Sequence, residues 1–121
     1  MKITKEIDIE NKIIGINQPC YIIAEIGVNH NGDLNIAKKL IDKAVEVGVD
    51  AVKFQKRHLQ SLYSKESLEN PNSESQGFEI LLAELKEVEL TKDDYKKLLI
   101  IVKKKILHFY VLLGIPQVLI F

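Results

Sequence analysis

At 121 residues the chain can form one domain with a real core, but it is short of the roughly 250 residues a closed eight-stranded α/β barrel needs. Its 17 basic and 17 acidic side chains cancel, which speaks against nucleic acid or an acidic membrane surface as partner. A single cysteine, Cys20, excludes a disulfide framework within the chain and fits a reducing cytosol, and the opening alternation of apolar and charged residues lacks the apolar stretch of a secretory leader, so a cytoplasmic location is expected.

In chain order, Ile3, Ile7 and Ile9, then Ile13, Ile14 and Ile16, form two β-like runs around Glu10-Asn11-Lys12, a hairpin pattern. Tyr21-Ile22-Ile23-Ala24 is a short apolar run that predicts a strand buried on both faces, with Glu25 where it ends. Gly27, Asn29, Asn31 and Gly32 make a loop. Asp33 can cap a helix whose apolar residues Ile36, Leu40, Ile41, Ala44 and Val45 recur at helical spacing, and Gly48 stops it. The next strand is Ala51 to Gln55. A strand, a crossover helix and a strand imply a parallel pair, which would bring Glu25 and Lys53 to the carboxyl-terminal edge, where α/β folds keep their sites.

Between Lys56 and Gln76 the chain turns polar, with Asn70-Pro71-Asn72-Ser73 as its clearest breaker, and reads as a long loop, of a length that often forms a lid. Gly77 to Val88 predicts a short helix. Thr91 is an N-cap for a second helix that runs to about Lys104. Beyond that helix the periodicity ends.

The segments AEIGVNHNG and DAVKFQ, specific in combination, resemble the signature of the sialic acid synthase family, and a weaker likeness extends from Lys2 to about Lys104. The resemblance implies an α/β fold: an N-terminal β-hairpin (1–20), then the first β/α units of an incomplete (β/α)8 TIM barrel (21–105). It implies condensation of phosphoenolpyruvate with an N-acetylated hexosamine, N-acetylmannosamine or its phosphate, to give a nonulosonate and phosphate. It further implies a divalent metal, commonly manganese, with its ligands on later strands, a small antifreeze-like domain behind the barrel, and a homodimer. Close relatives make legionaminic, pseudaminic or spore-coat sugars by the same chemistry. A non-catalytic interaction module that keeps the fold's first quarter is the alternative of another class.

By the same resemblance, Lys53 takes the phosphate or carboxylate of phosphoenolpyruvate; otherwise it is a lysine that snorkels to the rim. Glu25 is costly on an apolar strand unless paired, so it serves proton transfer, the sugar, or a lysine such as Lys53. Its replacement by glutamine is expected to slow turnover with little change toward phosphoenolpyruvate. Gln55 hydrogen-bonds substrate or a metal-bound water, or supports the loop. Asn29 and His30 are substrate-side candidates, although a histidine in such a loop is often a backbone-bonded structural residue. Asn72 matches a substrate contact loosely. Tyr63 and Ser64 read as loop packing, Cys20 as a small apolar filler, and Arg57 and His58 as solvent-exposed charge. No metal ligand is assigned within the chain.

The residues after Lys105 depart from the family pattern, which expects a strand closing on Thr-Pro and an acidic residue. A reading shifted by one base permits Thr-Pro-Trp-Asp there, so 106–121 is expected to be an out-of-frame tail; a genuine buried strand is the competing account. A membrane segment is the other competing account, although at about 16 residues the tail is short for a transmembrane helix. Sequencing the DNA downstream of Lys105 checks the shifted reading, and a region unable to encode Thr-Pro-Trp-Asp in any frame refutes it. The isolated chain is accordingly expected to be inactive and poorly folded, with Val52, Phe54 and Leu112 exposed.

Overall fold

The computed structural model describes residues 6–105 and 107–113. Its elements are β1 (Glu6–Ile9), β2 (Lys12–Gly15), β3 (Ile23–Gly27), α1 (Leu34–Glu46), β4 (Ala51–Lys56), α2 (Leu59–Leu62), α3 (Lys65–Glu69), a 3-10 turn (Pro71–Ser73), α4 (Phe78–Glu87), α5 (Lys92–Lys104) and β5 (His108–Leu113).

β1 and β2 pair antiparallel, as the isoleucine runs predict for Ile7, Ile9, Ile13 and Ile14; Ile3 lies outside the described residues, and Ile16 follows the end of β2. Glu10 and Asn11 both take positive φ, 46° and 73°, the conformation that matches a tight turn to the twist of its strands. The hairpin is fastened to the amino-terminal edge of the main sheet: Lys12 pairs with Asp50 at 2.7 Å, just ahead of β4, and Glu10 lies 3.5 Å from His108 at the start of β5. It therefore sits at the end of the sheet opposite Gln55 and Lys56.

The main sheet has the order β3-β4-β5, with both pairs parallel. Asp33 caps α1 by accepting from the backbone of Asn35 at 2.6 Å and Ile36 at 3.2 Å, and Gly48, at φ +75°, follows its end. Thr91 opens α5 with a reciprocal capping box to Asp94. Each helix lays an apolar face on the same side of the sheet. Ala37, Ile41 and Ala44 of α1, with Tyr95, Leu98 and Val102 of α5, cover Ile26, Val52 and Phe54. Because side chains alternate along a strand, Lys53 and Gln55 face the other way, away from α1 and α5.

Several expectations need correction. The strand β3 begins at Ile23 rather than Tyr21, and Ile22 and Ile23 are exposed, since β3 is an edge strand with one face uncovered. Glu25 consequently lies within β3, which continues to Gly27 through a register irregularity. Val52 and Phe54 are fully buried by α1 and α5, so the apolar face predicted to be open is covered. Leu112 belongs to β5, but its side chain lies outside the described residues. The polar segment after β4 is not structureless: it winds into α2, α3 and the 3-10 turn, pieces too short for any periodicity to announce. Cys20 is exposed rather than packed.

β5 pairs with β4 from Ala51↔His108 to Lys56↔Leu113. Its Phe109, Tyr110 and Val111 are residue types suited to a pleated, half-buried surface. Residues 114–121, half of the segment expected to be out of frame, lie outside the described residues.

Candidate functional site

The uncovered sheet face carries the chemistry. Parallel register sets Glu25 beside Lys53 and Lys53 beside Tyr110, a row across all three strands. The Lys53 ammonium contacts the Glu25 carboxylate directly. Their side chains keep 36% and 46% of their exposure, so the pair remains open to solvent and to an incoming ion. Two residues along β4 comes Gln55. A methyl group placed on Gly27 would lie 3.5 Å from Gln55 Nε2 and 3.8 Å from Glu25 Oε1, so Gly27 forms the floor between them. It also takes φ +58°, a conformation that favours glycine. Glu25 and Lys53 thus pair in the body of the sheet, and Gln55 stands nearer the carboxyl-terminal edge.

That edge is held by a residue the sequence reading did not single out. Glu89, between α4 and α5, accepts from the Arg57 backbone N–H at 3.0 and 3.2 Å through its two oxygens and from Lys56 Nζ at 3.2 Å. Lys56 Nζ also donates to the Leu90 carbonyl at 2.9 Å. Arg57, expected to be solvated, is instead partly buried, with Nη1 3.8 Å from Glu89 and Nη2 donating to Gln55 Oε1 at 3.2 Å. The Tyr95 hydroxyl donates to the Gln55 carbonyl at 2.7 Å. Burial, reinforced by the Glu89 charge, pushes the Tyr95 phenol up, so it keeps its proton. The available signals were weak: a lone acid between Val88 and Leu90, and the only arginine in the chain.

His30 is fully buried and stacks on Phe54 at 5.9 Å between ring centroids. Its Nδ1 accepts from the Gly32 N–H at 3.1 Å, while Nε2 has no hydrogen-bond partner among the described residues. The loop presses on the α4–α5 connection: a methyl group on Gly32 would lie 2.3 Å from the Glu87 carbonyl oxygen. His30 is therefore built into the core beneath the site, while Asn29 is exposed in the turn above it. Asn72 is exposed in the 3-10 turn, which packs against α3 and α4, so Asn72 is not brought together with Glu25, Lys53 and Gln55. Tyr63 does pack as expected, edge-on to Phe78 at 5.1 Å, and Ser64 caps α3. His58 is exposed.

Burial holds the His30 imidazole below its ordinary value of 6.5, against an opposing pull from Glu89. The unfolded chain then binds a proton near pH 6.5 that the folded chain refuses, so this contribution is present above about pH 6.5 and is lost as pH falls toward the lower folded value. Asp50 is held below the carboxylate range by its bond to Lys12 and then by the Ile22 N–H, so its own contribution fades only below about pH 4. Urea titrations between pH 7.5 and 5 should show stability falling with pH, and His30→Gln should flatten that slope. An unchanged slope would clear His30 of it.

Among the described residues no three His, Cys, Asp or Glu side chains are grouped to hold a metal ion, and no helix is long and apolar enough to cross a membrane.

A parallel sheet backed by helices, with an ion pair and an amide on its other face, defines an α/β protein. Residues 40–111 match the NeuB family, and the chain belongs to that family. It is 41% identical over 86 residues to N-acetylneuraminate-9-phosphate synthase of Mus musculus, covering 70% of this chain and 24% of that protein. It is 42% identical over 83 residues to N,N'-diacetyllegionaminic acid synthase of Legionella pneumophila, covering 67% and 23%. The crystal structure of N-acetylneuraminic acid (sialic acid) synthetase from Leptospira borgpetersenii, in complex with citrate, superposes with a TM-score of 0.68 at 32% identity, over 90% of this chain and 34% of that one. The chain thus spans about a quarter of the length of these curated relatives.

Proposed function

We propose that this chain carries part of the phosphoenolpyruvate and sugar site of a sialic-acid-type synthase. The observation that carries the reading is the grouping of Glu25, Lys53 and Gln55 on one open sheet face, within a chain of the NeuB family. In the reaction, C3 of phosphoenolpyruvate bonds to the aldehyde carbon of an N-acetylated hexosamine, whose oxygen takes a proton. Water adds at C2 and gives up its proton, and phosphate leaves as C2 becomes a ketone. Lys53 is suited to hold the phosphate or carboxylate of phosphoenolpyruvate by charge. Glu25 is suited to take or return a proton, or to accept from a sugar hydroxyl, and Gln55 to hydrogen-bond the sugar. Asn29 and Asn72 remain candidates for later contact from the exposed turns; His30 is assigned to support.

The expected divalent cation, manganese by resemblance, finds no donor set among the described residues. The complete cycle belongs to a longer protein, proposed as a cytosolic homodimer whose later strands close a barrel; the 121-residue chain alone is proposed to be inactive. Relatives that make legionaminic acid, pseudaminic acid and spore-coat polysaccharide mark the alternative sugars for the same chemistry.

Titrating the isotope-labelled chain with phosphoenolpyruvate tests the reading. Resonances of Gly27, Lys53 and Gln55 are expected to move first; shifts confined to other lysines would overturn it. The ion pair also revises one expectation. Glu25 occupies the ammonium that the ligand needs, so Glu25→Gln should tighten phosphoenolpyruvate binding. Exposed pairs are worth about 0.2–1 kcal/mol, which sets the gain at about fivefold or less. Weaker binding in that variant would show that Glu25 supports Lys53 rather than competing for it.

A further inference from the structure

Gln55 carries a donor and an acceptor on one planar group, and which of them faces the ligand decides what it recognises. Arg57 settles this. A guanidinium offers only donors, so the 3.2 Å contact from Arg57 Nη2 must fall on the amide oxygen. The amide nitrogen is then left toward Gly27 and Glu25, where Gly27 has no side chain to block it. Arg57 is in turn positioned by Glu89, whose two oxygens hold its backbone N–H and whose charge lies 3.8 Å from Nη1. Glu89 is mostly buried, and the same carboxylate ties down Lys56, so the corner after β4 is braced from a connection 32 residues away.

We propose that Arg57, braced by Glu89, is a positioning residue that locks the Gln55 amide with its Nε2 donor toward Glu25, so that the two together select a hydroxyl group. A hydroxyl can accept from Gln55 Nε2 and donate to Glu25 in the same pose. A carboxylate or phosphate cannot: it would satisfy Gln55 and repel Glu25. An anionic group is thereby disfavoured between Gln55 and Glu25, and a polyhydroxylated ligand is favoured there. The proposal rests on the reading that Gln55 meets substrate, but its test needs no substrate.

The measurement is the proton–nitrogen NOE of the Gln55 side-chain amide in the isotope-labelled 121-residue chain, with exposed Gln60 as the internal mobile reference. In the unaltered chain Gln55 is expected to be as ordered as the backbone amides of β4, well above Gln60. Arg57→Lys keeps a cation beside Glu89 but loses the fork, so the Gln55 value should fall to that of Gln60 while the β4 backbone resonances persist. Glu89→Gln should lower it part of the way. A Gln55 amide as mobile as Gln60 in the unaltered chain would overturn the proposal, whether or not either variant folds. So would undiminished order in a folded Arg57→Lys chain. Failure of phosphoenolpyruvate to shift Lys53 would leave this result standing and strike only the functional reading.

Discussion

Lys53→Ala is expected to weaken phosphoenolpyruvate binding by roughly tenfold. Hydrogen bonds to charged groups contribute about 1.5–3 kcal/mol, and the side chain keeps 36% of its exposure, which places the effect at the lower end of that range. Lys56 cannot substitute, because its ammonium is engaged by Glu89 and the Leu90 carbonyl. Arg57 is committed to Gln55 and Glu89. Calorimetric or NMR titration of both chains decides the matter. Equal affinities would reduce Lys53 to a structural partner of Glu25.

Phe54→Ala is expected to destabilise the fold by about 3–5 kcal/mol, the usual range for removing a buried aromatic ring. Phe54 is fully buried and lies at the meeting point of His30, Tyr95 and Phe109, at 5.9, 6.1 and 5.5 Å between ring centroids. Domains of this size hold about 5–15 kcal/mol in total, so the variant should be close to unfolding at room temperature. Urea denaturation followed by circular dichroism measures it. A loss below about 1.5 kcal/mol would mean that the helices close over the vacated space, as a volume-tolerant core allows.

What could be read from the sequence follows the range of the interaction that fixes each feature. The caps at Asp33 and Thr91, the helix α1 and the strand β4 depend on neighbours a few residues away, and the structure has them where periodicity and capping residues place them. The pairing of Glu25 with Lys53 was within reach, since a crossover helix dictates parallel strands. The start of β3 was not. Tyr21-Ile22 is as apolar as the strand itself, and only the uncovered face and edge position explain why Ile22 and Ile23 are exposed. Glu89 was invisible because its partners, Lys56 and Arg57, lie more than thirty residues back and nothing local marks an acid as one that will be buried. Likewise, His30 gives no sign in sequence of whether its ring turns to a ligand or to Phe54.

The alternation along β4 carries a genetic consequence. Ala51, Lys53 and Gln55 belong to one face and Val52 and Phe54 to the other, and β4 is paired on both sides. A point substitution here harms either the core or the site. Loss or gain of one residue between Gly48 and Ala51 shifts the strand by one place, driving an ammonium and an amide into the helix-packed layer and turning Phe54 out to water. A point substitution harms one face, whereas such a shift harms both at once, so lineages carrying this segment should keep the spacing from Gly48 to Phe54 invariant in length.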